Sequence, residues 1–164
     1  MKKKIPFAFF ITLLAIPLLF SCAAAPKVWK SQPNLGRTDN SHFYAQIAPV
    51  GTESGYDAFY LYIKNRTDET LELDWDKSLY IDDGMTSGGF MFEGIDLLER
   101  HSSKPPDVIP PRGYLGKTIW PVNLASDTEH TKMDAGEKGV YLSVMIDGKE
   151  INETIIVELY QGRK

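Results

Sequence analysis

From residue 42 onward the chain breaks into short runs in which apolar and polar residues alternate, the period of a half-buried strand. Residues 56–64 (YDAFYLYIK) set Phe59, Leu61 and Ile63 on one face and Tyr60 and Tyr62 on the other. Residues 70–75 (TLELDW) alternate strictly, with Leu71, Leu73 and Trp75 inward and Glu72 and Asp74 outward. Further strands are predicted over residues 42–50, 78–81, 90–95 and 114–120. Residues 139–146 and 150–160 alternate on either side of Asp147-Gly148-Lys149, which predicts a hairpin turning at Asp147-Gly148. Between these runs lie turn residues: Asn65 to Asp68, then Asp82-Asp83-Gly84. Residues 104–113 are proline-rich and predict an extended crossover, and residues 125–139 are polar with one helical turn near residues 127–131. Short strands, turns every 8 to 12 residues and no sustained 3.6-residue period predict an all-β fold, an antiparallel β-sandwich of seven to nine strands.

The first 41 residues follow another pattern. Three lysines at positions 2–4 precede an apolar run over residues 5–20, broken by Pro6 and Pro17. Sixteen helical residues reach about 24 Å, short of the roughly 30 Å hydrocarbon core. A basic start and a short apolar stretch therefore read as a secretory signal over residues 1–21. Residues 22–41 hold prolines and polar residues without a period and read as a tether, which leaves residues 42–164 as the folded domain.

Formal net charge is −4. Without the signal, 15 Lys+Arg face 22 Asp+Glu, a net charge of −7. An acidic domain gains nothing from counterion release at phosphates, which argues against nucleic acid as a partner. The chain holds a single cysteine, Cys22, so a disulfide within it is excluded.

Leu19-Phe20-Ser21-Cys22 resembles the lipobox of bacterial lipoproteins, with leucine three residues before the cysteine and a small residue just before it. The resemblance implies cleavage before Cys22, a diacylglycerol thioether on its sulfur and acylation of the new amine. More than one acyl chain, at about 0.8 kcal/mol per buried methylene, holds a soluble domain on a bilayer. The implied address is the cell envelope. Ala23 after the cysteine points to the outer membrane in a cell with two membranes. The segments LYIKNRT, LELDW and VIPPRGYLGKTIWP resemble immunoglobulin-like modules in style, and Trp75 takes the place of the core tryptophan between such sheets.

Candidate chemistry is sparse. Gly84-Met85-Thr86-Ser87-Gly88 has threonine at its centre and no strand-turn-helix context for a nucleophile elbow. His42, His101 and His130 lack metal-ligand spacing. Asp74, Asp76, Asp82 and Asp83 are the weak metal candidates, an acidic edge able to attract calcium or simply to remain solvated. Asn65-Arg66-Thr67 and Asn152-Glu153-Thr154 match the glycan acceptor pattern and are read as chance. Tyr60, Tyr62, Phe90 and Phe92 form the candidate binding face, because an aromatic run apolar on both sides either lies between layers or meets a partner. The expectation is a lipid-anchored, non-enzymatic binding or structural module for an envelope protein or polymer, without a cofactor. The alternative is an enzyme or calcium-dependent binder on the acidic edge.

Overall fold

A computed structural model describes residues 27–125 and 131–163. Twelve strands occur among them: β1 (Lys27–Gln32), β2 (Gly36–Asp39), β3 (Phe43–Thr52), β4 (Gly55–Asn65), β5 (Leu71–Leu73), β6 (Leu79–Asp82), β7 (Met85–Thr86), β8 (Phe90–Phe92), β9 (Asp107–Ile109), β10 (Tyr114–Pro121), β11 (Gly136–Ile146) and β12 (Lys149–Arg163). They form two antiparallel sheets. One runs β1-β12-β11-β5-β9, with β6 also on β11 and β7 on β6. The other runs β2-β3-β4-β10-β8. The inward residues of both meet in one core, from Phe43, Ile47, Phe59, Leu61, Ile63 and Ile119 on one side to Leu71, Leu73, Val140, Leu142, Val144 and Val157 on the other. The protein is an antiparallel β-sandwich.

The hairpin is the longest pairing, with β11 matched to β12 from Gly136↔Leu159 to Ile146↔Lys149. Its turn residues Asp147 and Gly148 both have positive φ, 47° and 70°, the geometry that lets a two-residue loop follow strand twist. On its other edge β11 is shared. Residues 138–141 pair with β6 and residues 144–146 with β5. Ser143 falls at the break. Its amide donates to Ser78 Oγ at 3.2 Å and its carbonyl accepts the Asp74 amide at 2.9 Å, so the ladder continues through a turn. That turn carries Trp75 into the core at 2% exposure, 4.8 Å from the Phe92 ring.

Three expectations change. The stretch read as a tether holds β1 and β2, so the folded unit takes in residues 27–41 as well as those from residue 42 onward. Both are edge strands whose partners, β12 and β3, supply the hydrogen bonds that their polar sequences do not advertise. The proline-rich crossover holds β9, three residues paired to β5 between Pro106 and Pro110. The strand count rises from seven to nine to twelve through these short edges. The helical turn expected at residues 127–131 lies largely outside the described residues, as does Cys22.

Asn65 fixes the corner between β4 and β10. Its buried amide donates to the carbonyls of Glu69, Ile109 and Pro110 at 2.8–3.2 Å, and its oxygen accepts from the Thr67 amide and hydroxyl. A side chain fully used in this way leaves no nitrogen for a glycan, which agrees with the chance reading of that sequon.

Trp75→Ala is expected to destabilise the protein by about 3–5 kcal/mol in chemical denaturation, the range for removing a large core aromatic. A loss under about 1 kcal/mol would mean that the indole contributes little to the packing between the sheets.

Candidate functional site

Because Phe59, Leu61 and Ile63 turn inward, β4 presents Tyr60, Tyr62 and Lys64 on the outside of the sandwich. Register sets what they face. Tyr62 lies opposite Gly116 and Tyr60 opposite Thr118 on β10. The Tyr62 ring stacks on Tyr114, two residues along β10 from its own partner Gly116, with centroids 5.8 Å apart and planes 27° apart. Tyr60 leans the same way over Gly116, where a Cβ would run into its hydroxyl. Glycine at 116 therefore makes room for the ring. Along this line runs a cleft of about 510 Å³ lined by Tyr60, Glu93, Gly116, Lys117, Thr118 and Trp120. Tyr60 is 42% and Tyr114 68% exposed. Tyr44 extends the aromatic face on β3, with the Arg66 guanidinium 5.8 Å from its ring centre.

The predicted binding face thus divides. Tyr60 and Tyr62 belong to the outer surface, whereas Phe90 and Phe92, at 1% and 9% exposure, point between the sheets. They cannot meet a partner there, because they pack on Tyr80 and Trp75. Sequence reasoning missed Tyr114. Its signal, an aromatic in phase with Gly116, becomes meaningful only once β10 is known to lie beside β4.

The acidic edge also divides. Asp74 accepts from the Asp76 and Lys77 amides at 3.0 and 3.3 Å, holding the turn that delivers Trp75. Asp76 accepts from the Ser103 hydroxyl and from the Lys104 amide, and these bonds hold its carboxyl below the usual aspartate range. Asp82 and Asp83 close around Lys138 instead. Among the described residues, no group of three or more His, Cys, Asp or Glu side chains gathers to hold a metal.

Lys138 is in phase with Val140, Leu142 and Val144 and so points into the sandwich, with its side chain fully buried. Its ammonium is bound by Asp82, lies 2.9 Å from Asp134 Oδ1 and lies 3.5 Å from Asp83 Oδ2. Burial alone would depress its pKa, but hydrogen bonds to Asp82 and Asp134 outweigh this and raise it. The same hydrogen bond lowers the pKa of Asp134. Burial, followed by the nearby Asp82 charge, raises the pKa of the Tyr80 phenol. Lys117 is a second inward lysine, in phase with Leu115 and Ile119. It pairs with Asp107, which also accepts from Trp75 Nε1 at 2.9 Å, and its ammonium lies 4.0 Å from the centre of the Phe92 ring. Each lysine closes the sandwich with a satisfied charge, and neither is a free nucleophile or base.

No protein-family model matches the chain, and no curated protein matches it at a significant level.

The Lys138 cluster predicts a pH dependence. A lowered Asp134 pKa stabilises the fold above the unfolded aspartate value, and this is lost as pH falls through the folded one. A raised Lys138 pKa stabilises it below the unfolded lysine value and is lost only in strong base. The melting temperature should therefore hold steady between about pH 5 and 9 as far as this cluster contributes, and fall below about pH 4. Asp134→Asn should lower the neutral-pH plateau and flatten the acid limb, and an unchanged limb would remove Asp134 from the account.

Proposed function

We propose that this protein is a lipid-anchored module of the cell envelope that holds a partner on the outer face of β4 and β10 and performs no chemistry on it. The observation that carries the reading is the exposed, ordered aromatic surface. Tyr62 and Tyr114 are stacked on each other, Tyr60 is seated over a glycine, and a cleft runs beside them. Tyrosines held this way lose little further entropy on binding and offer both apolar faces and hydroxyls, the composition enriched at recognition surfaces. The anchor rests on the lipobox-like Leu19-Phe20-Ser21-Cys22 and the short apolar run before it. The acidic net charge supports a partner other than nucleic acid or an anionic lipid face.

Two measurements test this reading separately. Metabolic labelling with an acyl analogue should mark the wild-type chain and fail with Cys22→Ser, while the stability of the folded domain should be unchanged if the residue serves only as the anchor. Labelling that persists in Cys22→Ser would overturn the anchor. For the face, a photo-crosslinking residue at position 62 should yield a discrete adduct in cells, and the same residue at Glu137 on the other sheet should not. With the crosslinker at position 64, Tyr60→Ala should abolish the adduct, with a stability change within about 1 kcal/mol. Equal adducts at positions 62 and 137 would remove the aromatic face.

A further inference from the structure

The aromatic face ends at a sheet edge that is only half covered. Strand β10 pairs with β4 over residues 114–119 but with β8 only over residues 119–121. The hydrogen-bond phase is set at the corner, where the Asn65 amide donates to the Gly113 carbonyl. From that pair onward, the odd-numbered residues of β10 bond to β4, and the even-numbered ones direct their N–H and C=O groups the other way. The Arg66 amide bonding to the His42 carbonyl confirms the phase, since it gives the even-numbered residues of β4 to β3. At Trp120 the outward groups meet Met91 of β8. At Tyr114, Gly116 and Thr118 they meet no backbone group of any other described residue. Among the described residues, three donor and acceptor sets, repeating about every 6.8 Å, are left without a strand partner along the cleft lined by Tyr60, Glu93, Gly116 and Thr118.

Two of the other edges are blunted. Strand β9 has three residues between prolines, and β2 has four and carries Arg37 and Asp39. The open stretch of β10 has no proline, and Lys117, the charge on its inner side, is already paired with Asp107. A strand laid there would not leave that charge stranded.

We infer that this edge binds an extended peptide of a partner protein by strand addition, as an antiparallel or parallel sixth strand beside β10. The inference rests on the proposed binding face and names its partner class. Main-chain amides at strand spacing are the chemistry that satisfies Tyr114, Gly116 and Thr118 together, which neither a lipid headgroup nor a sugar supplies. Alternate side chains of the peptide would lie against Tyr60 and Trp120, so the favoured sequences carry apolar or aromatic residues at every second position.

The test uses the full chain in a mild detergent and a displayed library of random twelve-residue peptides. Selected peptides should slow amide exchange at Gly116 and Thr118 by about tenfold or more and leave Leu115 and Lys117, already bonded to β4, unchanged. Thr118→Pro removes an outward N–H without touching the β4 ladder and should weaken binding about tenfold or more, whereas Thr118→Ala should not. Peptides that bind without protecting Gly116 and Thr118, or that tolerate Thr118→Pro, overturn strand addition. If Tyr62→Ala abolishes their binding, the aromatic-face reading survives that failure. Failure to select any peptide overturns the inference, as does the same protection arising from self-association, which would make the partner a second copy.

Discussion

Strand β11 must satisfy both of its edges, and the rest of the sandwich is arranged around that requirement. One edge takes β12 along its whole length. The other is too long for either β5 or β6 and receives both, end to end. The gap between them would leave Ser143 unpaired inside the protein, at a cost of about 1–3 kcal/mol per buried group. The turn that fills it, with Ser78 Oγ and the Asp74 amide standing in for a strand, has a second effect. It loops the chain out between two strands that run the same way, and the indole of Trp75 enters the core, where it bonds Asp107 and packs on Phe92. Asp107 in turn holds Lys117 on the opposite sheet. Backbone accounting on one strand thus extends through three side chains to join the two layers.

Much of this was legible in the chain. The alternation in residues 56–64 and 70–75 identified Phe59, Leu61, Ile63, Leu71, Leu73 and Trp75 as core, and all are buried. Asp147-Gly148 marked its turn because few residues accept positive φ. Edge strands were not legible. A segment such as GRTD gains its conformation from the backbone of β3 and has no pattern of its own. Phe90 and Phe92 stay open between core and binding face in the sequence because an aromatic run has no visible inside until its neighbours are known. The four aspartates looked like one edge because they are close in sequence, but Asp74 and Asp76 serve a turn while Asp82 and Asp83 serve a lysine from another strand.

The inward lysines show why polarity alone misleads. Lys138 and Lys117 fall on core phases, and the reading by hydrophobicity starts its strand at residue 139, just past Lys138. Their long stems lie along the apolar interior and their ammonium groups reach carboxylates at its margins. A charge on a core phase is tolerated when its partner lies on a neighbouring strand, which is information about pairing and not about sequence.

The early start of β1 bears on where the domain can be. With a lipid on Cys22, four residues separate the anchor from Lys27. Fully extended, that connection spans about 16 Å. A domain of this size is roughly 35–40 Å across. Held on so short a leash, it would ride against the headgroups, and its far side would stand within about 55 Å of the bilayer. Its working radius would be that of a membrane-proximal sentinel: it could meet only what approaches or shares its own membrane, and a longer spacer would change what it meets without altering a single contact in the fold.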